Sequence, residues 1–267
     1  MRLLQKFRKR KITVPPDFVP ATNLHYVKFL RELHEKVLFD WYMEVGCRSG
    51  ASIAPVRGKT IGVDPFFQVN LNAIGQKPAL HFFQEKSDVF FQSGFLRRAD
   101  IKLSLTFLDG MHLIEYLLRD FCNTEANSTR SSVIMIHDCC PYDHGMTTRD
   151  LTIIDDLPRK IWTGDVWKII PILQKYRPDL RITVLDCANT GLVMVSNLSP
   201  ESTVLKEQSQ EILAEFLNLD LQAFGASKFF GSFKFTDARK FLNDNIDFWK
   251  DLAMAKELAT VPKKVSL

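Results

Sequence analysis

Glu44, Asp64, Asp109 and the pair His137–Asp138 each stand where an apolar run ends, and His112 follows Asp109 by three residues. Carboxylates in such places accept hydroxyl hydrogen bonds or bind a hard cation. An imidazole with an ordinary pKa near ~6.5 can take a proton from a hydroxyl. The first two acids frame a second group, Glu44-Val45-Gly46-Cys47-Arg48-Ser49-Gly50, with Asp64 eighteen residues after the first glycine. Glycines at such a bend let the backbone turn sharply and approach a ligand closely. The third glycine of G-x-G-x-x-G is missing, so a pyrophosphate cradle is incomplete, and Glu44 would repel a phosphate. An acid at that place suits a cation such as the amino group of a methionine moiety. Asp64 suits the two hydroxyls of a ribose.

Strand-like runs that must carry these residues cover 39–45, 59–64, 79–84, 103–109 and 132–138, with helix-like stretches near 49–57, 68–76, 87–98 and 112–127. Strand and helix alternating in this way predict an α/β fold, a parallel sheet with helices on both faces. A further helix is expected at 165–177, with Asp165 as its cap. Two more strands follow at 181–187 and 190–196, separated only by Ala188 and Asn189. Two residues cannot make a parallel crossover, so these strands must pair as an antiparallel hairpin. A dinucleotide dehydrogenase would normally finish with another parallel unit. Ahead of the sheet, 21–37 reads as a helix capped by Thr22 or Asn23. Beyond it, Ile212, Leu213, Phe216 and Leu217 form one helical stripe and Phe241, Leu242, Ile246 and Trp249 another. The divisions are therefore a basic, proline-rich tail over 1–20, a ligand-binding domain over 21–198, and a helical extension over 199–267. The extension is expected to cap the site, to form a dimer face or to pack on the sheet edge.

A ribose diol and an amino acid without a phosphate describe S-adenosylmethionine (SAM), and the pair E-V-G-x-x-x-G … V-D resembles that of class I methyltransferases. "FLDGMH" (107–112), "VIMIHDCCP" (133–141) and "WTGDVWKIIPILQKYRPDL" (162–180) are similar to the methyltransferase-24 group, which includes relatives of macrocin-type sugar O-methyltransferases and cephalosporin-hydroxylase-like proteins. The resemblance covers roughly 39–197. It implies a Rossmann-like sheet of seven strands, mostly parallel, ending in the antiparallel hairpin. It implies SAM held by Glu44, Gly46, Gly50 and Asp64, with Ser87 near the adenine. It also implies a divalent metal such as Mg or Mn held by Asp109, His137 and Asp138.

His137 departs from that pattern, because a carboxylate is usual there, and imidazole suits Mn, Fe, Ni or Zn better than Mg. Three uses of the group follow: a transition metal on all three residues, a weakly held metal on the two aspartates, or no metal, with His137 or His112 as general base. The acidic base of related sugar enzymes is replaced by Met111, which makes His112 the substitute, with His144 a second candidate. Asp109, His112 and His137 are thus the expected catalytic residues. Cys139 and Cys140 are expected to pack or line a pocket. Trp162 is expected to stack on an acceptor or to anchor its loop.

The resulting expectation is O-methylation of a hydroxyl on a sugar, glycan or other small molecule. A SAM-fold binding protein without catalysis and an NAD-linked oxidoreductase are the rivals. Arg2, Lys6, Arg8, Lys9, Arg10 and Lys11 place six charges in the first eleven residues, so of the net +4 the rest carries −2. That balance argues against a nucleic-acid partner. The tail suits a solvated end or weak contact with an anionic membrane surface. No run of eighteen apolar residues occurs, and the N-terminus lacks the apolar segment of a secretory signal. Five scattered cysteines without a C-x-x-C pair fit a reduced, cytoplasmic setting. A homodimer through the C-terminal helices is also expected.

Overall fold

Eight strands join in one sheet: β1 (Trp41–Val45), β2 (Lys59–Val63), β3 (Leu80–Phe83), β4 (Leu103–Leu108), β5 (Ser128–His137), β6 (Arg181–Leu185), β7 (Leu192–Ser196) and β8 (Phe235–Thr236), in the order β3-β2-β1-β4-β5-β7-β6-β8. This computed structural model describes residues 14–69, 72–157, 160–245 and 248–249. The basic run 1–11, Ile246 and the end of the extension lie outside them. β1 to β5 are parallel, and β7 runs antiparallel to both β5 and β6. This is the Rossmann-like, mostly parallel sheet expected from the sequence, including its closing antiparallel hairpin. β4 is buried along its whole length and β1 at all but its first residue, as continuous apolar strands covered on both faces should be. β8 is an addition: the extension supplies a short strand that pairs parallel with β6.

On one face lie α2 (Ser87–Ser93), α3 (Phe95–Arg98), α4 (Ile114–Ala126) and α5 (Ile169–Tyr176), followed by the extension's α6 (Val204–Glu207), α7 (Ser209–Phe216), α8 (Leu221–Phe224) and α9 (Ala226–Gly231). On the other lie α1 (Tyr26–Lys36), the turns near Ile53 and Val56, and α10 (Ala238–Asp244). Ile212 and Phe216 are buried on the first face, and Leu242 and Trp249 on the second. Half of each stripe is therefore covered by this chain itself, while Leu213, Leu217 and Phe241 stay partly exposed.

Several expected elements take another form. The helix over 49–57 is a chain of turns: Gly50 has φ +77°, and Pro55 lacks an N–H and restricts the residue before it. The described residues of 68–76 are loop. The 87–98 helix breaks at Gly94, which sits at φ +67° between α2 and α3. The cap of α1 is His25, whose Nδ1 accepts the Val27 N–H, while the Thr22 and Asn23 N–H groups donate to Asp186. No helix among the described residues is long and apolar enough to cross a membrane.

Candidate active site

Parallel strands deliver their last residues to one edge, and the acids predicted from the sequence meet there. Asp109 follows β4, and His137 and Asp138 close β5, its neighbour in the sheet. One ligand atom from each of these three lies within 4.8 Å of the others. His137 Nδ1 is 3.2 Å from Asp109 and 3.4 Å from Asp138. His112, just before α4, spans both carboxylates, with Nε2 3.3 Å from Asp109 and Nδ1 3.3 Å from Asp138. The Thr190 hydroxyl donates to Asp138 and lies 3.3 Å from His137 Nε2. Asp138 holds φ +60°, a left-handed conformation that aspartate tolerates better than most residues.

The electrostatics of this group follow from burial and charge. Burial disfavours the ionised form of Asp109, but His137 and His112 overcome it and hold the carboxyl well below the usual range. Asp138 shifts the same way, again against burial. Burial lowers His112, yet Asp138, Asp109 and the Trp162 carbonyl raise it to about 9. His137, likewise opposed by burial, rises to about 10 beside Asp138 and Asp109. Without a metal, then, two imidazolium groups neutralise two carboxylates. His112, expected as a general base, also bridges both aspartates and so holds them in place.

Tyr26 is a member of this site that the sequence reading missed. Its ring lies 3.8 Å from that of His137, centroid to centroid. It arrives on α1 because the Tyr26 N–H donates to Ala188 O, in the loop of the β6–β7 hairpin that also carries Thr190. Nothing local in "NLHYVKF" marks it, since the contact joins segments far apart in sequence. Trp162 tilts over His112 at 5.2 Å, and its Nε1 donates to Thr148 O, so it anchors the loop. His144 is held away from the carboxylates, edge-on to Phe18. Cys139 and Cys140 are fully buried and serve as packing.

The predicted cofactor residues occupy the adjoining part of the edge. Asp64 accepts the Arg48 N–H at 2.8 Å and the Phe66 N–H at 2.6 Å, tying together the loops after β1 and β2. Each of its oxygens keeps a lone pair for a hydroxyl. Gly46 has φ +92°, and a Cβ there would lie 1.9 Å from Asp109 O, so this glycine lets the β1 loop pass the β4 loop. Glu44 corrects an expectation. It is fully buried, accepts from Tyr42 Oη at 2.6 Å and Ser52 Oγ at 2.5 Å, and presents no carboxylate to a ligand. Burial outweighs those two hydrogen bonds and raises its pKa to about 8. The Ser87 hydroxyl bonds Asp120 of α4, whose carboxyl burial raises to about 7. Asp165 does not cap its own helix. It accepts the Ile114 N–H at the start of α4, together with Arg149 and Lys168. Phe66 and Met111, 77% and 39% exposed, leave apolar surface close in sequence to Asp64 and Asp109.

No protein-family model and no curated protein matches the chain. By structure it is similar to the O-methyltransferase TomG from Streptomyces achromogenes in complex with SAM, at 13% identity over 65% of this chain and 80% of that one, TM-score 0.46. It is similar to the O-methyltransferase from Bacillus cereus in complex with SAH, at 14% identity over 68% and 83%, TM-score 0.46. It is also similar to MycE methyltransferase of the mycinamycin pathway in complex with Mg, SAH and mycinamycin VI, at 13% identity over 66% and 49%, TM-score 0.40. At identities this low, the chemistry of the site has to be argued from this chain's own residues.

Proposed function

We propose that the chain is a SAM-dependent O-methyltransferase acting on a hydroxyl of a sugar or other small molecule, with a divalent metal at Asp109, His137 and Asp138. The observation that carries this reading is the convergence of those three ligand atoms within 4.8 Å at the strand ends that also present Asp64 and the Gly46–Gly50 loop. The donor set fits a divalent cation, with two carboxylates to balance its charge and one imidazole to favour Mn or another transition metal over Mg. Bound there, such an ion lowers the pKa of an acceptor hydroxyl and orients it.

The chain's own residues do the rest. Asp64 accepts the ribose hydroxyls, and Phe66 offers an apolar face beside them. His112 and Thr190 hold the two carboxylates, and Tyr26 covers the face of His137. The acceptor oxygen forms a bond to the methyl carbon as the carbon–sulfur bond breaks and its electrons pass to sulfur. The hydroxyl proton passes to water. Catalysis here consists mainly of alignment. Glu44 has no part in binding, and the methionine amino group must be met by other acceptors on the loop after β1.

Calorimetric titration of the metal-stripped full chain with S-adenosylhomocysteine, then with Mg²⁺ or Mn²⁺, tests this. Micromolar binding abolished by Asp64→Ala is expected, as is Mn²⁺ binding lost in Asp138→Asn. Absence of any S-adenosylhomocysteine binding, with or without metal, would refute the cofactor assignment. Tight binding with no turnover on any hydroxyl acceptor would favour a ligand-binding protein.

A further inference from the structure

α1 starts at the candidate site, and its first side chain is the phenol of Tyr26. The backbone fixes where this residue stands: its N–H donates to Ala188 O, and His25 pairs with Ala188 as an isolated β-bridge. Three rings then hold the phenol. It lies 3.8 Å from His137, stacks on His25 at 4.9 Å and meets Phe107 at 6.0 Å, centroid to centroid. A ring packed on several sides has little freedom to turn away, so its hydroxyl is set in advance.

No group of the fold takes up that hydroxyl. Tyr42 donates its own to Glu44 and Tyr176 donates to Glu215, whereas the Tyr26 hydroxyl makes no hydrogen bond among the described residues. The side chain is only partly buried, and its oxygen keeps accessible surface. Burial, and after it the charges of Asp109, Asp138 and Glu44, raise the Tyr26 pKa, so the phenol oxygen lies within electrostatic reach of these carboxylates. Glu44 is already filled by Tyr42 and Ser52. Asp109 and Asp138 already face His112 and His137, and Asp138 also accepts from Thr190. A phenol O–H in that position is free to donate to an oxygen that comes from outside the chain.

An acceptor alcohol bound beside Asp109, His137 and Asp138 would bring such an oxygen. We propose that Tyr26 is an acceptor-binding residue of the methyl-transfer site, its hydroxyl donating a hydrogen bond to an oxygen of the acceptor while its ring covers His137. A phenylalanine ring would cover His137 equally well, so the hydroxyl is the part of Tyr26 that the ring contact does not account for. This inference rests on the methyl-transfer reading and adds to it a contact with the acceptor.

Tyr26→Phe provides the test, because the ring stays and only the hydroxyl goes. The full chain is titrated first with S-adenosylhomocysteine and with Mn²⁺. The loaded chain is then titrated with two chromophoric diols, 4-nitrocatechol and 4-nitrophenyl β-D-glucopyranoside, and binding is followed by absorbance and calorimetry. In the variant, the Kd of the diol that binds should rise about threefold to tenfold, as expected for the loss of one neutral hydrogen bond. The Kd values for S-adenosylhomocysteine and Mn²⁺, and Tm, should stay as in the wild type. An unchanged diol affinity in Tyr26→Phe overturns the proposal, and so does a wild-type chain that holds S-adenosylhomocysteine and Mn²⁺ yet takes up neither diol. A variant that loses Mn²⁺ affinity or Tm along with the diol also overturns it, since the hydroxyl would then serve the fold. A wild-type chain that binds neither S-adenosylhomocysteine nor Mn²⁺ fails at the earlier titrations, which marks the methyl-transfer reading itself as wrong and takes the proposal with it.

Discussion

Asp138 shares its carboxylate among His112, His137 and the Thr190 hydroxyl, so each neighbour constrains where a bound metal can sit. Thr190→Val removes the hydroxyl and nearly nothing else. It should cost about 1 kcal/mol in urea unfolding and weaken Mn²⁺ binding in calorimetry, because Asp138 loses its most direct restraint. Gly46 is constrained by protein rather than by ligand: a Cβ there would meet the backbone oxygen of Asp109 at 1.9 Å, at φ +92°. Gly46→Ala should therefore destabilise the whole chain by several kcal/mol, seen as a large fall in Tm with or without cofactor. An unchanged Tm accompanied only by lost S-adenosylhomocysteine affinity would show that the glycine exists for the ligand.

At the scale of elements, α1 joins the sheet and the site. Its first turn docks on the hairpin loop through Tyr26, the segment before it is tied to Asp186 through the Thr22 N–H, and its last turn buries His34 edge-on to Phe39 and Tyr42. Burial, with smaller contributions from Lys77 and Arg57, lowers the His34 pKa to about 3. The folded chain thus keeps this imidazole neutral, while the unfolded chain protonates it below about 6.5. The unfolded state then binds more protons, so the His34 contribution falls as pH drops from about 6.5 toward 3, with a slope of at most ~1.4 kcal/mol per pH unit. His34→Leu should flatten this acid limb in urea midpoints measured across that range. A limb of unchanged slope would assign the acid sensitivity to other groups. A second tie between elements is Arg177, buried on Glu125 at 2.6 Å and joined to Asp179, which links the ends of α4 and α5.

Over the whole molecule, the extension belongs to both layers. Leu205, Ile212, Phe216, Leu221 and Phe229 join the core on one face, and Ala238, Leu242 and Trp249 join it on the other, with β8 closing the edge beside β6. A chain ending at Leu198 would expose the apolar surface that these residues cover. We expect it to lose cooperative thermal unfolding and to aggregate on expression, measured by calorimetry and by sedimentation of the lysate. A soluble, cooperatively folding fragment would make the extension a separate unit.

The sheet was legible in the sequence because parallel central strands are apolar along their length and a two-residue link permits only a hairpin. The carboxyl-edge residues Asp64, Asp109, His137 and Asp138 were legible for the same reason: strand ends are local features, and the fold delivers them to one side. The stretch 49–57 looks helical in the sequence because its apolar spacing resembles helical spacing, but Pro55 and the positive φ of Gly50 keep it a chain of turns. Only the tertiary structure decided the rest. That Glu44 faces inward, that His112 bridges two carboxylates, that Asp165 serves α4 and that Tyr26 lies on His137 each depend on contacts between segments distant in the chain. Burial and charge at those contacts, rather than residue type, set which groups are ionised and which can meet a ligand.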